Sequence, residues 1–321
     1  MYELETIAIF LTATVVTLYL TKRFIRRFHA SGYVVKDMYK PEKPNVPTMG
    51  GMAIIGGIMV SLVVAEILLR NNDFIEKLLI FYFLIFIYGM FGLLDDLIRV
   101  KSRFKKIYLL FFLALPIALL NIDTTADLPF NTHIPLGWVY SFILAPIYVM
   151  VVANLINMHA GFNGLDGGLT SILIFFTTLK AYMKYDAETL LYAAPILGGL
   201  LAFMWYNKYP SRIFPGNTGS LVYGATVGGL IILYNLEWFG IVILIPHIIN
   251  FLMWIYWKMN MRIYPHIKFA EVLPDGTIKA PNKLTLKYLI TSLFHVRELR
   301  ATLILYAITI MFCIFGIILV P

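Results

Sequence analysis

The sequence has little of what a water-soluble enzyme of its length carries. Charged residues make up 14% of the 321 positions and apolar residues 60%. Soluble domains run at about 25% and 45–50%. Length alone therefore gives no count of soluble domains. The single cysteine, Cys313, excludes an intramolecular disulfide, and inside the last apolar run it reads as a small packing or lipid-facing residue. No basic region precedes the first apolar run, which Glu3 and Glu5 introduce instead, so a cleavable secretory leader is not expected. No second histidine or cysteine accompanies His159 at metal-ligand spacing, which favours a structural role for it. The phosphate-loop and dinucleotide fingerprints GxxxxGK[ST] and GxGxxG are missing. So is any basic, aromatic-laced soluble module, and no nucleic-acid partner is expected.

What is present is a series of long apolar runs, over 4–22, 49–69, 76–94, 107–121, 136–157, 167–184, 189–206, 218–235, 237–257 and 301–320. Each approaches the length needed to cross a hydrocarbon core of about 30 Å, although the fourth is short and contains Pro116. Backbone groups in lipid need internal partners, and the runs lack the alternation of barrel strands, so helices are predicted. The expectation is an all-α polytopic membrane protein, one integral-membrane domain over 1–321 with about ten transmembrane helices.

Of the 26 lysines and arginines, all but Arg70, Lys77, Lys180 and Lys184 fall in the odd-numbered connections. That asymmetry predicts cytoplasmic odd loops and both termini outside. The net charge of +8 is concentrated on that face. It favours anionic partners such as lipid headgroups, nucleotides or phosphates, although topology alone also accounts for such a bias. The longest polar segment, about 258–299, contains LPDGTIKAPN, where Asp275-Gly276 predicts a hairpin. The KLTLKYLITSLFHVRELR that follows suits a segment lying on the membrane surface.

The unusual polar clusters all fall on the predicted cytoplasmic side, so an active site is expected there. FGLLDDLIRVKSRFKK places Asp95 and Asp96 at the end of the third run. Carboxylates at such depth are costly and usually functional, and neighbours on a helix point about 100° apart, so the two cannot share one role. A solvated helix end followed by topogenic charges is the bland alternative. In NLINMHAGFNGLDGG, Asn154 and Asn157 share one helical face, and the following glycines let the backbone approach a ligand. Asn163 offers a donor and an acceptor together, which suits a pyrimidine edge, and Asp166 lies close by. IFPGNTGSLVYG is a glycine loop opening a helix, a setting that favours phosphate, with Phe214 placed to stack on a base. KDMYKPEKPNVPTMGG and MRIYPHIK add basic residues beside the membrane.

Taken in order, PTMGG, FGLLDD, NLINMHAGFNGLD and FPGNTGS resemble the polyprenyl-phosphate N-acetylhexosamine-1-phosphate transferases over nearly the whole chain. AGFNGLDGG looks like the AGxNGLE form of the dolichyl-phosphate GlcNAc-1-phosphate transferase branch, and Ala160 stands where the peptidoglycan translocases carry aspartate. The resemblance implies ten transmembrane helices, a cytoplasmic site and magnesium. It implies UDP-GlcNAc as donor and a polyprenyl or dolichyl phosphate, held in membrane lipid, as acceptor. By position it implies catalytic roles for Asp95, Asp96 and Lys105, the last matching a lysine that contacts the donor diphosphate. Asn163, Phe214, Asp166 and Asn154 would bind nucleotide, and Asn157 and Asn217 the metal. Arg262, His266 and Lys268 in the 258–299 sugar-binding loop would take sugar and diphosphate, and Asp37 with Lys40 the lipid-phosphate side. Two departures stand out. Asn217 replaces the family's aspartate and removes a negative charge. Pro265 and Ile267 flank His266, where the dolichol branch has Arg-His-Arg adjacent.

The expected function is transfer of GlcNAc-1-phosphate from UDP-GlcNAc to a dolichyl-type phosphate with release of UMP, the first step of lipid-linked oligosaccharide synthesis for protein glycosylation. The alternatives are a bacterial-type undecaprenyl-phosphate transferase for cell-envelope glycans and, in another class, a membrane transporter. The setting would be the cell membrane or an endoplasmic-reticulum-type membrane, and a homodimer is an admissible assembly.

Overall fold

The computed structural model describes residues 2–69, 74–120, 122–128, 132–264, 267 and 269–320. Arg70, Pro265, His266 and Lys268 lie outside the described residues. The chain opens with α1 (Glu3–Ala30), a hairpin of β1 (Val34–Lys36) and β2 (Asn45–Pro47), α2 (Gly51–Leu68) and α3 (Phe74–Ile98). Then come α4 (Arg103–Ala114), a second hairpin of β3 (Thr125–Leu128) and β4 (Thr132–Pro135), α5 (Ala145–Met158), α6 (Leu165–Lys184), α7 (Glu188–Asn207) and α8 (Gly216–Leu233). The last third holds α9 (Glu237–Ile243), α10 (Ile245–Met259), a hairpin of β5 (Glu271–Val272) and β6 (Ile278–Lys279), α11 (Leu286–Phe294) and α12 (Glu298–Leu319). Each hairpin is a separate antiparallel pair. The fold is therefore helical with three small hairpins added. The last of them turns at Asp275-Gly276, with Gly276 at φ 82°, as the sequence predicts.

Among the described residues, seven helices are long and apolar enough to cross a membrane: α1, α2, α3, the segment Tyr140–Met158 ending in α5, α7, α8 and α12. The pair α9–α10 adds an eighth if it is one span bent by 63°. The other two expected spans are helical but do not meet the same measure of length and apolarity. In the fourth, Pro116 lacks the amide an α-helix needs, and α4 gives way to a 3-10 segment at Leu115–Leu120. The sixth, α6, carries threonines along its length and Asp166 in its first turn. The bend between α9 and α10 falls just before Pro246, again where a donor is missing.

Helix α8 is buried along almost its whole length, packed between α3 and α5, while α1 packs on α2 and α7. Small residues allow this. A methyl group at Gly224 would stand 2.3 Å from Ala153 Cα. Pro195 interrupts α7, and the buried Tyr82 hydroxyl fills the gap, donating to Tyr192 O at 2.6 Å and accepting from Ile196 N at 3.2 Å. The rigid α3–α5–α8 group matters for function because the C-terminal ends of α3 and α5 and the N-terminal end of α8 meet at one end of the bundle.

Candidate active site

Two glycine-containing segments are laced together at that end. Phe214 N donates to Pro47 O at 2.8 Å, Gly50 N to Phe214 O at 2.8 Å and Gly51 N to Pro215 O at 2.9 Å. The close approach is possible because Gly51 has no side chain: a Cβ there would lie 2.2 Å from Gly219 N. Gly216, at φ 69°, turns the chain into α8 in a conformation glycine adopts freely, and a Cβ there would meet Asp96 Oδ2 at 2.5 Å.

Asp96 reaches across from α3 to cap α8. Its Oδ1 accepts from Asn217 N at 2.9 Å, and its Oδ2 accepts from Thr218 N at 3.0 Å and Thr218 Oγ1 at 2.8 Å. These amides are donors that helix geometry leaves unsatisfied, and the positive end of the helix dipole favours a carboxylate there. Asp95 points another way, as the 100° offset requires. It is buried, accepts from Val100 N at 3.0 Å and Asn217 Nδ2 at 3.0 Å, and forms an ion pair with Lys106 Nζ at 2.6 Å. Asn217 thus bridges the two aspartates through its backbone and side chain.

On the facing side, α5 ends at Met158 and the chain turns through Gly164, at φ 72°, into α6. Asp166, in the first turn of α6, is buried and accepts from Ser220 Oγ of α8 at 2.9 Å. Asn163 is buried in a network of its own. Its Nδ2 donates to Asp37 Oδ2 at 3.1 Å, and its Oδ1 accepts from Lys40 Nζ at 3.0 Å and Ser211 N at 2.8 Å. Lys40 also pairs with Asp37 at 3.1 Å and with Glu298, and lies 4.3 Å over the Tyr209 ring. Tyr39 packs beside this network, with its hydroxyl 3.2 Å from that of Tyr288. Burial first, and then Tyr288, Glu298 and Asp37, push the Tyr39 phenol well above its ordinary pKa. His159 is buried edge-to-face on His247, 4.6 Å between centroids, and burial pushes its pKa well down, so the ring stays neutral.

These segments enclose a cavity of about 430 Å³ whose lining includes Asp37, Asp96, Asn157, Asp166, Phe214 and Asn217. Six of the residues singled out in the sequence, spread from the first loop to the start of α8, therefore share one space. Others stand apart. Lys105 is exposed at the start of α4, outside the lining, while its neighbour Lys106 is the one that reaches Asp95. Asn154 turns back onto Met150 O, and Arg262 is exposed after α10. Lys40 and Asn163 sit behind the cavity wall rather than in the lining. A second cavity of about 440 Å³ adjoins the first, sharing Tyr39, Ala160, Gly161 and Phe269, with Lys287 donating to Ala160 O at 3.1 Å.

Sequence reasoning passed over Glu298, Lys106, Thr218 and Ser220. Thr218 and Ser220 lie inside the FPGNTGS motif and Lys106 beside Lys105, so a signal was present for these three. For Glu298 the only hint was an acid at the mouth of the last apolar run.

The side-chain donor atoms on offer to a metal in the cavity are oxygens, among them the carboxylates of Asp96 and Asp166 and the amides of Asn157 and Asn217, with Asp37 already paired to Lys40. Asn217 spends its Nδ2 on Asp95, which leaves Oδ1 as the atom able to act as a ligand. Among the described residues no three of His, Cys, Asp and Glu stand close enough to cage an ion. A hard-oxygen set without a closed cage fits magnesium, which keeps waters and is commonly held by one or two carboxylates plus substrate phosphates.

The profile of the glycosyl transferase family 4 matches residues 78–235, the stretch from α3 to the end of α8. A Saccharolobus solfataricus protein, provisionally named a UDP-N-acetylglucosamine–dolichyl-phosphate N-acetylglucosaminephosphotransferase, is 27% identical over 307 residues, 92% of this chain and 90% of the relative. A Sulfolobus acidocaldarius protein of the same provisional name is 28% identical over 318 residues, covering 95% and 93%. A phospho-N-acetylmuramoyl-pentapeptide-transferase of Acetivibrio thermocellus is 32% identical over 218 residues, 63% of this chain and 62% of that one.

Proposed function

We propose that this chain, a multi-pass helical protein resembling the polyprenyl-phosphate N-acetylhexosamine-1-phosphate transferases and matching the glycosyl transferase family 4 profile, transfers GlcNAc-1-phosphate from UDP-GlcNAc to a dolichyl-type phosphate. The observation that carries the reading is the shared cavity, where Asp96, Asn157, Asp166, Phe214 and Asn217 meet at one end of the bundle. Long relatives named for this reaction add to it. A polyprenyl tail belongs in lipid while its phosphate must meet a soluble nucleotide, and a cavity at the helix ends suits both. In this reading that end is cytoplasmic, as the basic loops imply.

In the proposed reaction an acceptor phosphate oxygen attacks the β-phosphorus of the donor. The new O–P bond forms as the bond to the α-phosphate oxygen breaks, and UMP leaves with the electron pair. A phosphate monoester has its second pKa near about 6, so the attacking oxygen needs no base at neutral pH. The protein's contribution is then position and charge. Phe214 would stack on the uracil. Magnesium held by Asn157, Asn217, Asp96 and Asp166 would offset repulsion between the two anions. Both oxygens of Asp95 and of Asp96 accept hydrogen bonds, so neither carboxylate offers a disengaged nucleophile. That favours direct attack over an aspartyl intermediate.

The test is incubation of the detergent-solubilised protein with labelled UDP-GlcNAc, a short polyprenyl phosphate and magnesium. Lipid-linked label with equimolar UMP is expected. Uptake of label into vesicles with no chemistry would replace the proposal with a transporter. Running saturated dolichyl-type and undecaprenyl phosphates side by side distinguishes the bacterial-type alternative.

A further inference from the structure

A buried charge network stands immediately behind the cavity wall, and its central group comes from the far end of the chain. Glu298, the first residue of α12, is 2% exposed. One of its oxygens pairs with Lys40 Nζ, and the other accepts from Asn163 N at 2.6 Å. Lys40 in turn holds Asp37, which lines the cavity, and Asn163 holds both Asp37 and Ser211 N. Four segments are joined at one point: the turn after β1, the α5–α6 loop, the α7–α8 loop and the head of α12. Three of these, through Asp37, Phe162 and Phe214, line the cavity directly.

The asymmetry of the network points to what it does. One ammonium is shared between two buried carboxylates, and the Asn163 amide donates one hydrogen to Asp37 while its oxygen already accepts two. Asn163 Oδ1 therefore has no lone pair left for a ligand in this arrangement. Lys40 likewise directs its ammonium at protein acceptors. Their service to the site is indirect, through the loops they hold.

We infer that Glu298 is a positioning residue for the proposed transfer, setting the donor-binding loops through Lys40 and Asn163 rather than touching substrate. The inference rests on the proposed function of the same cavity. Glu298→Gln keeps the shape but removes the charge that anchors Lys40. It should raise KM for UDP-GlcNAc by about ten- to a hundredfold, the scale of an ångström-level misplacement, with kcat held within about threefold. Because Glu298→Gln keeps an oxygen for Asn163 N and removes only the pairing with Lys40, adding it to Lys40→Met should change KM little further. Glu298→Asp, which keeps the carboxylate, should recover part of the loss and guards against a simple folding defect. The inference is overturned if Glu298→Gln leaves KM within about twofold of the unsubstituted protein, or if the two substitutions multiply independently. If the unsubstituted protein releases no UMP at all, the proposed function itself fails and takes this inference with it, a result readily told apart from the other two.

Discussion

Asp96 caps α8 in this structure and, under the proposed function, also serves the chemistry, and substitution can separate the two. As a cap it accepts three hydrogen bonds from the first residues of α8. Loss of a good cap costs about 0.5–2 kcal/mol, and loss of a carboxylate at a helix N-terminus about 0.3–1 kcal/mol more. Asp96→Ala should therefore cost roughly 1–3 kcal/mol, a fall in Tm of several degrees. Asp96→Asn has the same shape and keeps one oxygen to accept from the start of α8, so it should lose less Tm than Asp96→Ala while stripping the charge from the cavity. If the carboxylate serves the chemistry, Asp96→Asn should lose about a hundred- to a thousandfold in UMP release, the scale seen when one preorganised electrostatic group is removed from an active site. The assay is UMP release at saturating donor and acceptor, paired with thermal unfolding in the same detergent. Activity in Asp96→Asn within about threefold of the starting protein would show that Asp96 is only a cap, and the catalytic assignment would be wrong.

Phe214→Ala should raise KM for UDP-GlcNAc about tenfold, since stacking on a base is worth about 1–3 kcal/mol, and Phe214→Tyr should largely restore it; unchanged KM in the alanine variant would remove Phe214 from the nucleotide site. Gly51→Ala must push α2 away from the α8 backbone, and overpacking of this kind costs about 1–3 kcal/mol; a variant with unaltered Tm would mean the two segments part easily. Asn217→Asp places a second carboxylate against Asp95, so without metal it should lower Tm and with magnesium regain more than the parent does; an identical magnesium response would argue against Asn217 as a ligand. Tyr39 has a raised pKa, so its contribution to stability is complete below the ordinary tyrosine value of 10.0 and is lost as pH climbs beyond it. Tyr39→Phe should therefore show a shallower fall in Tm on the alkaline side, and parallel curves would contradict the assignment.

How far each feature could be read from residues follows from the range of the forces behind it. Apolar runs must become helices in lipid because each backbone group needs a local partner, and most of the spans appear where the sequence places them. The break at Pro116 and the hairpin at Asp275-Gly276 are equally local, the first a missing donor and the second a glycine at positive φ. Membership of Asp96, Asn157, Phe214 and Asn217 in one site was legible because each sits in a short polar motif at a helix end. Lys105 against Lys106 was not legible. Adjacent residues on a helix differ by about 100° in direction, and only the packing of α4 beside α3 decides which reaches Asp95.

The sequence by itself determined a helical membrane protein with its polar motifs gathered at helix ends, because hydrophobicity, backbone hydrogen bonding and helix-end signals act over a few residues. The tertiary structure alone decided that Asp96 caps α8, that the Asn163 amide is spent on Asp37, Lys40 and Ser211, and that Glu298 closes the network from the start of the last helix. Those assignments depend on which donors and acceptors come within about 3 Å of one another across 48 to 135 positions of chain, and a hydrogen bond of that range leaves no periodic trace in the residues that make it.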